Sequence, residues 1–288
     1  MHPNRIQFRV GDSTKSLEQG SVLSFAQGDF TIAHGGGAAD PGKAVPSLYL
    51  LFAVGQCPDR DAVLRAVHAA EGLAVSIDGA AAGASAGEDA QLQIVTNGLT
   101  FDLEGVVVQD DSGPAYERGQ TISPAGSDQI YDAIAIAAGP HLSSGATTMP
   151  VLKGQLRAAA LLGKQLPALA AYSWSAAGNV VDAERFSYLS EQWEEGGVFP
   201  TEFFVRFRRD LDEGVTSRGL EMFTGQELRI EPDVVDAIPD PARLAMRIAA
   251  QLVPMGKLEE PQDFKTPDGR GLRLQPSRNA RYVRAFLR

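Results

Sequence analysis

The stretch Val215-Thr216-Ser217-Arg218-Gly219-Leu220-Glu221-Met222-Phe223-Thr224-Gly225-Gln226-Glu227-Leu228-Arg229-Ile230 decides how the second part of this chain is read. Its last four residues alternate polar and apolar, as a strand with one buried face requires. Phe223-Thr224-Gly225-Gln226 lies where the chain must reverse, and Gly225 tolerates the positive φ of such turns. The stretch therefore reads as a β-hairpin. Immediately upstream, Phe203-Phe204-Val205-Arg206-Phe207-Arg208 reads as another strand. Downstream, residues 241–252 read as a helix, with Asp240 as its cap and Leu244, Ile248 and Leu252 sharing a face at a spacing of four. A Pro-Asp-Gly turn at 267–269 and Leu272-Arg273-Leu274 point to a closing hairpin.

Moving toward the N-terminus, a helix is expected from Asp182 to about Trp193, with Phe186, Leu189 and Trp193 on one side. Before it, a strand at 131–136, a helix using Val151, Leu152, Leu156, Leu161 and Leu162, and a strand at 169–174 form one strand–helix–strand unit. An earlier unit has the same plan. The continuous apolar run at 48–54 reads as a buried strand, Pro58-Asp59 opens a helix ending near Gly72, and 73–77 returns as a strand. Asn97-Gly98 between alternating runs at 91–95 and 99–103 is a strong hairpin signal, because both residues tolerate φ > 0. Residues 79–87, nearly all Ala, Gly and Ser, read as a mobile loop, and 110–126 as a polar surface excursion. Phe25 and Phe30-Thr31-Ile32 suit short strands before a Gly-rich loop at 34–42.

Composition narrows the function classes. The chain has 288 residues, 44% hydrophobic and 22% charged, which suits a globular protein with a well-buried core. The net charge of −10 disfavours a general nucleic-acid binder. Six arginines between Arg270 and Arg288, with no acid after Asp268, form a local exception. They read as a solvated terminal segment pairing with the acidic body, with an anionic contact as the functional alternative. Cys57 is the single cysteine, so no intrachain disulfide or thiolate metal cluster can form, and it reads as a small core residue. No apolar signal core and no run of 18 apolar residues occurs, so a soluble, cytoplasmic protein with no membrane partner is expected.

No motif specifies a reaction. Residues 37–44 match the start of a phosphate loop, but Ala44 stands where the magnesium-binding hydroxyl belongs and Val45-Pro46 block the helix that should follow. The four histidines (His2, His34, His68 and His141) contain no pair at metal-ligand spacing, so neither a metal nor a cofactor is expected. The acidic pairs Asp110-Asp111, Glu194-Glu195 and Glu259-Glu260 are chain neighbours whose side chains diverge. Four residues are candidates for a ligand-binding cleft. His141 lies between a strand and a helix, Trp174 could be a stacking platform, and Arg218 and Glu227 flank the hairpin turn. Core packing for Trp174, a structural hydrogen bond for His141 and cross-strand ion pairing for Arg218 and Glu227 are the competing readings.

From roughly residue 47 to 274 the chain resembles a bacterial family known only as a domain of unknown function, DUF 4261. The resemblance rests on Ala171-Tyr172-Ser173-Trp174 after a Leu/Ala-rich helix, and on Thr216-Ser217-Arg218-Gly219-Leu220-Glu221-Met222-Phe223 followed by Glu227-Leu228-Arg229-Ile230. Thr224 intervenes between Phe223 and Gly225, where the family's familiar form has Phe-Gly. The resemblance implies no reaction, ligand or catalytic residue.

The fold expected is α+β. Residues 1–46 form an N-terminal extension, 47–126 a first α+β half, and 127–288 a second with a basic C-terminal segment. Ferredoxin-like halves are the leading version and a single mixed sheet the runner-up. The function expected is a non-enzymatic binding or protein-interaction protein, with an unknown protein or small molecule as partner, and a homodimer is left open. The alternative is a small-molecule enzyme or ligand-binding protein with a cleft between the halves, using His141, Trp174, Arg218 and Glu227.

Overall fold

The structure, a computed structural model, describes residues 31–33, 46–78, 92–106, 120–123, 130–266 and 268–288. The expected Gly-rich loop at 34–42, the phosphate-loop match at 37–44 and the Ala/Gly/Ser segment at 79–87 lie outside these residues. So does the polar stretch at 110–126 apart from 120–123.

After β1 (Thr31–Ala33) comes β2 (Leu48–Ala53). Leu48, Leu50 and Phe52 point into one core and Tyr49 and Leu51 into another. A strand buried on both faces has no polar alternation, which is why this run is continuously apolar. The helix α1 (Arg60–Ala69) begins at Asp59, whose carboxylate accepts the Ala62 N–H at 2.8 Å, so Pro58 precedes the cap rather than entering the first turn. β3 (Ala74–Asp78), β4 (Leu92–Thr96) and β5 (Leu99–Glu104) follow. Between β4 and β5, Asn97 and Gly98 take φ of 49° and 76°, the left-handed pair that a two-residue hairpin needs. Next are β6 (Gln120–Ser123), β7 (Tyr131–Ala138), a 3-10 turn (Pro140–Gly145), α2 (Met149–Gly163), β8 (Leu169–Trp174) and β9 (Asn179–Asp182).

These strands form one sheet in the order β3-β4-β5-β7-β2-β8-β9, with β6 also on β7 and β1 on β6, and every pairing among its described strands is antiparallel. β7 and β8 lie on either side of β2 and run parallel to each other, with α2 as the crossover. The α+β class is as expected, but the division after residue 126 is not where the sheets divide. β2, from the expected first half, is the strand between β7 and β8 of the second. The two strand–helix–strand units therefore share one sheet instead of forming two ferredoxin-like halves. Local periodicity reveals strands and crossovers, whereas strand pairing between residues 80 or more apart leaves no local mark.

The chain then leaves this sheet. α3 (Ala183–Glu194) is capped by Asp182, which accepts the Arg185 N–H at 2.8 Å. The expected strand at 203–208 is in fact a one-turn helix, α4 (Thr201–Phe204), followed by β10 (Arg206–Arg209). Phe203 and Phe204 are both fully buried, which a half-exposed strand would not allow. β11 (Val215–Arg218), the short α5 (Glu221–Thr224) and β12 (Glu227–Ile230) form the quoted hairpin, pairing Val215 with Ile230 and Thr216 with Arg229. Gly225 closes α5 at φ 72°. α6 (Pro232–Ala237), α7 (Pro241–Met255), β13 (Gln262–Lys265), β14 (Gly271–Pro276) and β15 (Tyr282–Leu287) complete the fold.

The second sheet runs β10-β11-β12-β15-β14-β13, antiparallel except for the parallel pair β12 and β15. β15 is a central strand in the segment expected to be solvated. Val283 and Ala285 are buried, while Arg284 reaches Glu231 at 2.7 Å and Arg288 reaches Asp263 at 2.7 Å. A continuous core joins the two sheets through an aromatic cluster. Trp174 meets Phe204 at 5.0 Å between ring centroids, Phe204 meets Trp193 at 5.7 Å, and Phe199 meets Phe223 at 4.8 Å.

Candidate functional site

The four residues singled out from sequence divide into separate settings. Trp174 has 0% exposure at the centre of the aromatic cluster, where no ligand can stack on it. Its indole N–H finds no hydrogen-bond partner among the described residues, which makes it a packing residue held by ring contacts. His141, exposed, lies 2.6 Å from the Thr100 hydroxyl at the start of β5. Arg218 and Glu227 are brought together around one turn. The Arg218 Nε donates to the Ala176 carbonyl at 3.2 Å, which ties β11 to the turn after β8.

Glu227 organises that turn. One carboxylate oxygen accepts the Gly219 N–H at 2.7 Å, and the other accepts the Leu220 N–H at 3.2 Å and the Ser217 hydroxyl. Ser217 in turn accepts the Leu228 N–H at 2.7 Å, so the network crosses from β11 to β12. Burial pushes the Glu227 carboxyl above the usual carboxylate value, and these donors oppose the shift without cancelling it. Gly219 takes φ of +98°, and a Cβ there would sit 2.6 Å from the Phe204 carbonyl oxygen, so only glycine fits beneath this carboxylate. All of these groups are matched within the chain, and their arrangement is structural. Cys57 is likewise inert: burial, with Asp132 nearby, pushes its thiol up to about 12.

A different place has room for a ligand. A groove of about 1120 Å³ lies between α3 and α7, lined also by residues 198–202 and by Ile238, Pro239, Thr266 and Asp268. It forms because α3 ends the first sheet's layer while α7 covers the second sheet, and Pro200 with α4 bridges them against α7. The apolar lining comes from Leu189, Phe199, Ile238, Leu244 and Met246, with Tyr188 and Val198 at the rim, 52% and 83% exposed. Tyr188 and Val198 are thus large side chains left exposed beside a concave apolar wall.

The charged residues of the groove fall into two groups. Asp182 and Asp240 cap α3 and α7, accepting the backbone N–H of Arg185 and Arg243 at 2.8 and 2.9 Å. Glu202 holds Arg185 through both oxygens, at 3.2 Å from Nε and 2.6 Å from Nη2, and the Arg185 guanidinium lies 5.2 Å from the Tyr188 ring centre. Asp268 accepts the Thr266 hydroxyl and pairs with Arg270 at 3.0 Å. Arg243 and Arg247 differ. Both are exposed on α7, one helical turn apart, and their guanidinium groups make no ion pair or hydrogen bond among the described residues.

None of His141, Trp174, Arg218 and Glu227 lines this groove. Nothing in the sequence sets Arg243 and Arg247 apart, because charges on the outer face of an amphipathic helix look like solvation. The one signal available was Val198, an apolar residue between Gly196-Gly197 and Phe199-Pro200 with no regular element to bury it. Among the described residues, no group of three or more His, Cys, Asp and Glu could hold a metal ion, and no helix is long and apolar enough to cross a membrane. Comparison of the chain with protein-family models, with curated proteins and with solved structures gives no match.

Proposed function

We propose that this protein is a non-enzymatic binding protein that receives an apolar segment of another protein in the groove between α3 and α7. One observation carries this reading: the groove has apolar walls and exposed apolar residues at its rim. Two further features support it. Its volume lies at or above the roughly 300–1,000 Å³ usual for small-molecule pockets, and its rim is open, which suits a segment of chain better than an enclosed metabolite. Its described lining includes no histidine, cysteine, serine or lysine, and its carboxylates are already paired or capping helices. The one lining hydroxyl seen against a carboxylate, Thr266 on Asp268, faces a carboxylate already paired with Arg270. The family resemblance implies no reaction, so the reading rests on the groove. A cytoplasmic setting belongs to the same proposal and rests on the net charge of −10 and the single cysteine.

The test uses a neutral naphthylamine dye whose fluorescence rises in apolar surroundings. The wild-type protein is expected to bind it, and Val198→Asp and Tyr188→Asp are each expected to remove most of the signal while circular dichroism stays unchanged. Peptides enriched from a random library on the wild type should displace the dye. A dye signal that both variants leave intact would place the accessible apolar surface elsewhere and refute the proposal.

A further inference from the structure

We infer that the segment received by the α3–α7 groove is acidic, presenting two carboxylates about one helical turn apart to Arg243 and Arg247 beside apolar anchors. This inference rests on the groove reading above and adds the chemistry of the partner.

The formal charge of the lining does not by itself point this way. Four carboxylates (Asp182, Glu202, Asp240 and Asp268) stand against three guanidinium groups (Arg185, Arg243 and Arg247). What decides is which of these groups already has a partner. Asp182 and Asp240 accept helix N–H groups, where the positive end of the helix dipole also offsets their charge. Glu202 is neutralised by the two-point contact with Arg185, and Asp268 by Arg270. A ligand would have to break these contacts to use any of the four. Arg243 and Arg247 have no ion pair or hydrogen bond among the described residues to give up. Four residues on a helix rise by about 6 Å, so the two guanidinium groups are spaced to meet side chains one turn apart on a helix lying along α7. Arginine also suits the role, because its planar fork pairs with a carboxylate through two parallel hydrogen bonds. The apolar wall supplies affinity, and the arginine pair fixes register and selects against basic segments. The net charge of −10 repels an acidic segment at long range, but at physiological ionic strength that field is screened beyond about 8 Å.

The experiment measures fluorescence anisotropy at physiological ionic strength with three labelled helical peptides built from Leu and Ala. The first carries two Glu one turn apart on the edge of its apolar face, the second has Gln at those positions, and the third has Lys. Wild-type protein is expected to bind the Glu peptide about tenfold more tightly than the Gln peptide, with the Lys peptide weakest. The double variant Arg243→Glu/Arg247→Glu should reverse the order of the Glu and Lys peptides. Equal binding of all three, or a preference for Lys, would overturn the acidic partner. If Val198→Asp abolishes that binding, the groove reading survives on its own. If no peptide binds, or Val198→Asp changes nothing, the groove reading fails and the acidic partner with it.

Discussion

The turn around Glu227 and the groove around Arg243 are similar in composition and opposite in state. Each combines acidic and basic residues with apolar neighbours, and each lies on the second sheet or the helix that covers it. At the turn, the carboxylate of Glu227 has three donors from its own chain, and Ser217 relays the contact to β12. At the groove, the guanidinium groups of two arginines find no acceptor among the described residues. The difference separates structural polarity from polarity that is free to meet a partner. Residue type cannot make that distinction, because Glu227 and Arg218 looked as functional in the sequence as Arg243 and Arg247 looked ordinary.

Removing the turn's acceptor should have the largest effect. Glu227→Ala leaves two backbone N–H groups and a hydroxyl without their acceptor, and it should cost about 3 kcal/mol in a urea denaturation. A loss below about 0.5 kcal/mol, the range of an ordinary surface change, would show that the network is not structural. Gly219→Ala tests the same turn through the backbone. The added methyl would be forced against the Phe204 carbonyl in a positive-φ conformation, at an expected cost of about 2 kcal/mol.

A subtler effect follows from the raised Glu227 carboxyl. Its pKa in the folded state lies above the ordinary 4.5, so the folded protein holds this proton more tightly than the unfolded chain does. The resulting stability is fully present below pH 4.5 and is lost as pH rises through the folded-state value. The stability of wild type relative to Glu227→Gln should therefore fall between the ordinary carboxylate value and neutrality. A flat difference across that range would mean the carboxyl is not perturbed.

Much of the architecture was legible in the sequence. The Asn97-Gly98 turn and the Asp182 and Asp240 caps are set by short-range chemistry and formed as read, while the helix after Pro58 starts one residue later, behind Asp59, and the 215–230 hairpin closes through α5 instead of a tight turn. Four features were not legible, for identifiable reasons. The place of β2 between β7 and β8 depends on pairing across long sequence separations. At α4, Phe203 and Phe204 carry high strand propensity, and burial against the joint between the sheets overrode it. In β15, the alternation of Val283 and Ala285 with Arg284 and Phe286 was present, but the run of arginines made the segment look solvated. The groove was the least legible of all. It exists only once α3 and α7 stand beside each other, and neither helix signals the other.

The smallest expected effect on stability belongs to the groove, where stability and binding should separate. Arg243→Glu/Arg247→Glu should be measured twice, by urea denaturation and by calorimetric titration with the acidic helical peptide. Stability should stay within about 0.5 kcal/mol of wild type, because neither guanidinium group has an ion pair or hydrogen bond among the described residues to lose, while the affinity falls at least about tenfold. Unchanged affinity would contradict the acidic partner, and so would a large loss of stability, since the two arginines would then be serving the fold.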